Sequence, residues 1–350
     1  MSIQRSKPRI TLLALCLTLS IGMAQAEQIK PVRTVSNVDM VTAGVNGINN
    51  GTGTISVTGI SGPVKKAFLY WHGFNNAGPY SKSTISFNSS SVTGSPLGIS
   101  GTNCWGAGQS QAFEADVTSI VTADGNYSLA GLAGTGDSVN GASLVVLFND
   151  SDNTNNLGVV FYTGNDSTHG GEEFGDAGGW QATLPGINYS ATGTITATLH
   201  VADGQAAGDG PVTFSTADGT VTIEDTPLLF DGVSVPSGAA KRGGNGLYDI
   251  HTFNIKPAFG ATSGTKTLTM NAPPGNDCLA LVAMTLNFNP PAQAPVVGGP
   301  VFTSCAAEGF SGPKLTLCKQ VCELPQSPSR LSALIKMYIA AFKEDPPCGR

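Results

Sequence analysis

Charged residues are scarce in this sequence, and acids slightly outnumber bases. Asp, Glu, Lys and Arg make up 12% of the 350 residues, and the formal net charge is −6. An acidic surface lacks the basic patch that nucleic acids require, and it disfavours electrostatic docking on anionic lipid. We therefore expect no nucleic-acid partner and no binding to charged membrane surfaces.

Long apolar runs are also missing beyond the N-terminus, where none reaches the roughly 18 residues of a membrane span. At the N-terminus, a basic segment (residues 5–9) precedes an apolar stretch from Ile10 to about Met23. Ala24-Gln25-Ala26 then matches the small-x-small cleavage pattern. We predict a signal peptide over residues 1–26, cleaved after Ala26, and a secreted, extracellular or cell-surface protein without a membrane span.

Motifs that identify a reaction are absent. The sequence contains no nucleophile elbow on a strand-to-helix turn, no His-Glu-x-x-His, no Walker-type loop and no dinucleotide fingerprint. We therefore assign no catalytic residue and no cofactor from motifs, and the interpretation favours a non-catalytic protein.

Cys-x-x-Cys pairs are absent as well, and no His lies near the four C-terminal cysteines, which disfavours zinc. An even number of cysteines in an exported chain predicts disulfides. The predicted mature chain has six: Cys104, Cys278, Cys305, Cys318, Cys322 and Cys348. We expect Cys104–Cys278 in the central region. In the tail we expect Cys318–Cys348 with Cys305–Cys322, and the swapped pairing is the alternative.

The 45 glycines and 21 prolines suit short strands and tight turns better than long helices. Strand-like runs separated by Asp-Gly turns continue from Glu27 to about Phe288. We predict an all-β fold over residues 27–288: an antiparallel β-sandwich or jelly roll, as one large unit or two stacked ones. No fixed-period repeat supports a propeller or solenoid.

The centre of this pattern is Gly141–Trp180. Two apolar runs, Ser143–Phe148 and Leu157–Tyr162, flank an Asn/Asp-rich bend. They predict a buried antiparallel pair of strands. The loops at the two ends of this pair contain the best candidate polar sites.

The first candidate site is the bend itself. Carboxylate and amide oxygens at alternating loop positions could bind Ca²⁺, but the same residues are ordinary in turns. The candidate ligands are Asp150, Asp152, Asn153 and Asn155.

The second candidate is the Gly-rich loop that follows. Its polar residues could bind a glycan or a metal, or act as acid and base, and a solvated loop has the same composition. They are Asn165, Asp166, His169, Glu172, Glu173 and Asp176.

Two further groups have structural alternatives. The aromatic run Tyr70-Trp71-His72 with Phe74 could stack on sugars, although strand aromatics more often pack in a core. A series of acids fits turn chemistry better than a site. They are Asp203, Asp209, Asp218, Glu224, Asp225 and Asp231.

Several of these runs resemble successive pieces of one family, the exported prokaryotic β-sandwich domains of large surface proteins, whose function is unknown. The similar segments are Val64–Trp71, Phe113–Thr118, Gly141–Phe148, Gly246–Ile250 and Asp277–Ala283. The resemblance covers roughly residues 35 to 290. It implies placement at the cell surface or outside the cell and an adhesive role, and it implies no reaction.

The C-terminal part differs in pattern. Residues 289–300 are rich in Pro and Gly and predict a linker. Beyond it, residues 301–350 predict a disulfide-stapled αα-hairpin: a short helix around Lys314–Leu324 and a longer one whose apolar stripe runs from Leu331 to Phe342. The stripe should pack on Leu317, Val321 and Leu324.

Taken together, the sequence favours an exported binding or adhesion protein, with a glycan or a surface protein as partner. A secreted hydrolase that uses the carboxylates of residues 163–179 is the rival. An accessory module of a surface assembly is the third interpretation.

Overall fold

The computed structural model describes residues 27–100, 109–168, 179–226, 228–242, 246–274, 278–297, 305, 310–322, 324 and 328–342. The predicted signal peptide lies outside these residues. The strands are β1 Glu27–Ile48, β2 Gly53–Val57, β3 Val64–Asn75, β4 Thr84–Phe87, β5 Ser90–Thr93, β6 Ser95–Ser100, β7 Gln109–Asp116, β8 Gly125–Ala130, β9 Asp137–Phe148, β10 Leu157–Ser167, β11 Trp180–Tyr189, β12 Thr194–Ala202, β13 Val212–Thr216, β14 Gly219–Ile223, β15 Ser237–Ala240, β16 Tyr248–Asn254, β17 Gly264–Ala272 and β18 Ala280–Asn289. The helices are α1 Gly312–Cys322 and α2 Pro328–Phe342, with short 3-10 turns at Lys256–Phe259 and Pro291–Gln293.

The long strand β1 belongs to two sheets. Residues 27–38 pair with β10, and residues 39–46 pair with β9. Asn37, at a register shift near the end of the first segment, has a positive φ of 60°, which a small amide side chain tolerates. Sheet A consists of residues 27–38 of β1 with β10, β18, β12 and β16. Sheet B consists of residues 39–46 of β1 with β9, β3, β7 and β6.

Two four-stranded antiparallel sheets cover the outside. Sheet C has the order β2-β8-β4-β5, and sheet D has the order β11-β17-β13-β14. One apolar core joins sheets C and B, a second joins B and A, and a third joins A and D. The fold is therefore two antiparallel sandwiches stacked back to back, which confirms the predicted all-β sandwich in its stacked form.

The two apolar runs of the central segment are buried on both faces, as their composition predicts. On β9, Leu144 and Val146 face the core with sheet C, while Val145 and Leu147 face sheet A. The expectation that this strand pairs with β10 is wrong. Each strand pairs with a different segment of β1, so the Asn/Asp bend crosses from one sandwich to the other.

The C-terminal helices form the predicted hairpin. They pack through a small core that includes Cys318, Val321, Leu334 and Tyr338. Leu324 is 50% exposed, so its predicted packing on the second helix is wrong. No helix among the described residues is both long and apolar enough to cross a membrane.

The tail disulfide differs from the expected pairing. Cys305 bonds Cys318, with 5.8 Å between their Cα atoms, so the expected Cys305–Cys322 and Cys318–Cys348 pairs are wrong, and the bond is the one that the swapped pairing predicts for Cys305. Both bonded residues are buried in the hairpin core, whereas Cys322 in the last turn is only half-buried. The sulfurs of Cys305, Cys318 and Cys322 lie within 4.8 Å of one another. Since all three are disulfide-bonded, they offer no thiolate to a metal.

The predicted linker begins against the sandwich. Gln293 is buried, accepts a hydrogen bond from the Ser190 amide and donates to the Asn289 carbonyl. Thr34 donates to the Pro295 carbonyl and accepts from the Val297 amide. Residues 289–297 are therefore hydrogen-bonded to strands β1 and β18 and to the turn after β11. The predicted domain boundary stays a prediction.

Candidate binding site

Two of the six residues predicted in the Gly-rich loop lie at the end of β10, and both are fully buried. The Asn165 amide donates to the carbonyls of Gly98 and Ser110 and to the Ser110 hydroxyl, at 3.1–3.3 Å. The Asp166 carboxylate accepts from the Ile29 amide at 3.2 Å. These contacts join strand ends and leave neither side chain at the surface. His169, Glu172, Glu173 and Asp176 lie outside the described residues.

The predicted Ca²⁺ loop forms consecutive Asx turns. The Asp150 carboxylate accepts from the Asp152 amide at 2.8 Å, and the Asp152 carboxylate accepts from the Thr154 amide at 2.9 Å. The Asn153 side chain accepts from Asn156, and Asn155 is exposed. Turn chemistry accounts for these contacts, and Ca²⁺ binding stays a prediction.

The aromatic run on β3 is not a sugar-stacking platform. Tyr70, Trp71, His72 and Phe74 are all fully buried. Trp71 stacks on Phe113 at a centroid distance of 5.4 Å in the core between sheets B and C. The alternating faces of a strand direct the run into two cores, so the structural interpretation is correct.

A buried polar layer lies instead between sheets A and B. His200 on β12 contacts Ser143 on β9, with 2.8 Å between Nδ1 and Oγ. The same hydroxyl lies 2.9 Å from the phenol oxygen of Tyr248 on β16. Burial lowers the pKa of His200 to about 3, so its imidazole is neutral at pH 7.

A second group in this layer surrounds His72. Its Nδ1 lies 3.0 Å from the Asn140 side-chain oxygen, and Asn140 donates to the Asp203 carboxylate at 3.0 Å. Burial lowers the pKa of His72 to about 4, against opposing hydrogen bonds from Asn140 and Asn165. The four residues come from β3, β9, β10 and the end of β12, so the group joins both sandwiches.

Asn46 and Asp249 extend the layer to the segment before β15. The Asn46 amide donates to the carbonyls of Gly232 and Tyr248 at 2.8 and 3.1 Å. The Asp249 carboxylate accepts from the Gly232 amide and from the Ser234 amide and hydroxyl. The acid is buried, and that burial raises its pKa despite these hydrogen bonds.

The chemistry of this layer is limited by access. A serine hydroxyl beside an imidazole is the start of a nucleophile–base pair. Ser143, His200 and Tyr248 are nevertheless completely buried on strands, between two sheets. The contacts they make cross the interface between the sandwiches, so the layer has the geometry of a structural connection.

The acids of the turns do not converge on one site. Asp203 is buried beside Asn140, and Asp225 accepts from the amides of Asp209 and Leu229 at 2.8 Å. Asp218 pairs with Lys266 across a different turn. These contacts support the structural interpretation of the group.

The outer face of sheet D carries uncharged polar side chains in straight rows. Within its four strands the only charged residue is Lys266, whose side chain pairs with Asp218 and is 10% exposed. The partners in each row face solvent from adjacent strands. One row is Gln181, Asn271, Thr213 and Thr222; the other is Thr183, Thr269, Ser215 and Thr220.

Sheet C has a similar composition on its outer face. Its four strands contain no charged residue, and their exposed positions are Thr, Ser, Asn and one Gly. On both sheets some of the exposed polar groups pair with each other, as Ser215 and Thr220 do on sheet D at 2.9 Å. The Ser56 hydroxyl donates to Asn126 at 2.7 Å, and the hydroxyls of Thr84 and Thr93 lie 2.9 Å apart.

Both outer sheets have a groove beside them; the one at sheet C, about 510 Å³, lies between β2 and the segment around β15. The groove at sheet D has a volume of about 460 Å³ and lies where the beginning of β1 meets β11 and β17. The only sign of it in the sequence is the alternation of Gln181 and Thr183 with apolar residues, which indicates an exposed strand face. The lining residues are Gln28, Ile29, Gln181, Ala182, Thr183, Thr269, Met270 and Asn271.

No protein-family model matches the chain, and no curated protein matches its sequence significantly. The resemblance to exported surface-protein domains therefore remains an expectation based on the motifs themselves.

Proposed function

We propose that this protein is an exported, non-catalytic binding protein of the cell surface or the extracellular space, and that its ligand is a glycan. The observation that carries the proposal is the outer face of sheet D, where exposed hydroxyl and amide side chains form two rows without a charge. Hydroxyls and amides both donate and accept hydrogen bonds, which suits the hydroxyl groups of a sugar.

The distribution of titratable groups supports binding over hydrolysis. An enzyme should have its acids and bases converge in an open cleft with perturbed pKa values. Here the two histidines with strongly lowered pKa values, His72 and His200, are fully buried. Of the carboxylates invoked for the hydrolase, Asp166 is buried at a strand end.

Export is supported by the N-terminal pattern and by the tail disulfide, since disulfides persist mainly in oxidising compartments. Placement at the cell surface follows the family resemblance.

Glycan binding is tested with the chain that begins at Glu27, purified with its disulfides intact. Affinity electrophoresis or pull-down should compare neutral polysaccharides (cellulose, chitin, amylose and mannan) with anionic ones (alginate and dextran sulfate). We expect retention by a neutral polysaccharide and little retention by the anionic ones, because the exposed face is uncharged. Failure to bind any neutral polysaccharide would contradict the proposed ligand class.

A further inference from the structure

Three cysteine sulfurs meet in the C-terminal hairpin. The sulfurs of Cys305, Cys318 and Cys322 all lie within 4.8 Å of one another. In the part of the chain that the structure describes, no other three Cys, His, Asp or Glu side chains converge in this way. A tetrahedral zinc ion with Zn–S bonds of about 2.3 Å holds its sulfurs about 3.8 Å apart, so the cluster is close to the size that a thiolate site requires.

Helix α1 supplies two of these sulfurs. Cys318 and Cys322 are one turn apart, and side chains at positions i and i+4 of a helix lie on the same face. Although they do not form a Cys-x-x-Cys pair, their Cys-x-x-x-Cys spacing is within the range found in structural zinc sites. Cys305 reaches the same face from the segment before the helix, with its Cα 5.8 Å from that of Cys318. The backbone of the hairpin therefore brings the three side chains together.

The surroundings of the cluster favour thiolates and the metals that bind them. Cys305 and Cys318 are fully buried in the hairpin core, and Cys322 is half-buried. Helix α1 carries no acidic residue, and its charged side chains are Lys314 and Lys319. Nearby positive charge stabilises the thiolate, which is the form that binds a metal. Soft thiolate ligands select zinc over hard cations such as Mg²⁺ and Ca²⁺.

Reduction is the step that makes these sulfurs available, because all three are disulfide-bonded in the oxidised chain. For each disulfide, two thiols of a reductant supply two electrons and two protons. The protein gains two thiols, and the reductant forms one disulfide. Zinc binding then releases one proton from each of the three cysteines, and the fourth position of the tetrahedron is left to water or another donor.

We propose that the reduced hairpin binds a zinc ion through Cys305, Cys318 and Cys322, in place of its disulfide. The hairpin core is small, and a domain of this size needs a disulfide or a metal to stay folded. The same sulfurs supply a disulfide in an oxidising environment and a zinc site in a reducing compartment such as the cytosol. The inference is independent of the proposed glycan ligand.

The test uses the chain from Glu27, reduced without oxygen by a phosphine, which adds no competing thiol. After gel filtration, the reduced chain should retain one zinc ion. Co²⁺ used as a spectroscopic probe should give thiolate-to-metal charge-transfer bands and the spectrum of a tetrahedral site. The oxidised chain should retain neither metal. No zinc uptake by the reduced chain, or equal uptake by the oxidised chain, would overturn the proposal.

Substitutions locate the metal. In the reduced chain, Cys322→Ser should raise the Kd for zinc by at least about tenfold, because even the outer-shell partners of a zinc ligand contribute that much. The matched control is Cys278→Ala, which removes a buried cysteine that precedes β18. It should leave the Kd unchanged. Equal effects of the two substitutions would place the metal outside the hairpin.

A second measurement separates a folded site from metal bound to unfolded thiols. Limited proteolysis should cut residues 310–342 of the reduced, metal-free chain, and zinc should restore their resistance. Zinc uptake without restored resistance would overturn the proposed site. If the metal-free hairpin already resists proteolysis, the Kd values of Cys322→Ser and Cys278→Ala decide whether the three sulfurs bind the metal.

Discussion

His200 and Ser143 are 57 residues apart in the chain, and their side chains meet at 2.8 Å across the interface between the two sandwiches. The hydroxyl of Ser143 also contacts Tyr248, so one small residue on β9 satisfies groups from β12 and β16. This contact is one of several buried polar contacts that connect the two sandwiches beside the apolar core between sheets A and B.

Removing this hydroxyl should destabilise the folded chain. Ser143→Ala leaves the Nδ1 of His200 without its partner in a site that water does not reach. The expected loss in the free energy of unfolding is about 1–3 kcal/mol. Urea denaturation at pH 7 measures it. The control Ser128→Ala, at an exposed position on β8, should stay within about 0.5 kcal/mol of wild type. Equal effects of the two substitutions would contradict the buried connection.

The two buried histidines predict a loss of stability in mild acid. Their pKa values in the folded chain are about 4 for His72 and about 3 for His200, against 6.5 when unfolded. Below pH 6.5 the unfolded chain therefore binds more protons, so stability is full above this pH and decreases as the pH falls. At pH 4 the loss is roughly 3 kcal/mol for each histidine.

The measurement is the free energy of unfolding at pH 7, 5.5 and 4, for wild type and for His200→Asn. Asp39 and Asp249 act in the opposite direction near pH 4, because burial raises their pKa values. The variant isolates the histidine: its stability should fall less steeply with acid than that of wild type. Parallel curves for the two proteins would show that His200 already titrates normally in the folded state.

These two histidines also show what the sequence could and could not predict. His200 alternates with Leu199 and Val201 in a strand pattern, so its burial as a strand residue is predictable. Its partner, 57 residues away, is not. His72 lies in an aromatic run, and a local pattern does not reveal that alternate residues enter different cores. Strand positions are local properties, whereas the pairing of strands is set by contacts distant in the chain.

The missed strand β1 illustrates the same limit. Its residues alternate poorly, because different segments face different sheets and the strand bends at Asn37. When β1 is not recognised in the sequence, β9 and β10 are predicted to pair with each other because they are consecutive in the chain. The outer rows of sheet D could not be predicted from the sequence either. They combine residues of four strands, and the order of these strands in the sheet differs from their order in the chain.

The ion pair between Arg33 and Glu114 should contribute more to stability than the pair on the neighbouring surface. Arg33 on β1 bonds Glu114 on β7, and its guanidinium lies 4.3 Å from the ring centre of Phe68. The two side chains are 24% and 13% exposed, so solvent screens them only in part. Glu114→Gln should lower the free energy of unfolding by about 1–3 kcal/mol.

Lys66 and Asp116 form the matched control, because Asp116 follows Glu114 by two residues on the same strand. This pair spans 2.9 Å but is 38% and 46% exposed. Lys66→Met should therefore change stability by less than about 1 kcal/mol. A larger loss for Lys66→Met than for Glu114→Gln in the same denaturation experiment would reverse the ranking and reject the argument from burial.

The disulfide between Cys305 and Cys318 can be tested chemically. Non-reducing peptide mapping after thiol blocking should recover Cys305 linked to Cys318, and a Cys305–Cys322 link would contradict it. Cys278 and Cys322 are also disulfide-bonded, and we expect Cys104 and Cys348 as their respective partners. The Cys305–Cys318 bond closes a loop of 13 residues, which on the chain-entropy model stabilises the hairpin by about 3 kcal/mol.

Because the hairpin core is small, that contribution should decide whether the hairpin folds. In the full chain, Cys305→Ser with Cys318→Ser should make residues 310–342 sensitive to limited proteolysis. The main unfolding transition of the sandwiches should stay unchanged, since their cores contain neither cysteine. If residues 310–342 of the variant still resist proteolysis, helix packing alone keeps the hairpin folded. If the main transition falls with it, the hairpin and the sandwiches unfold as one unit.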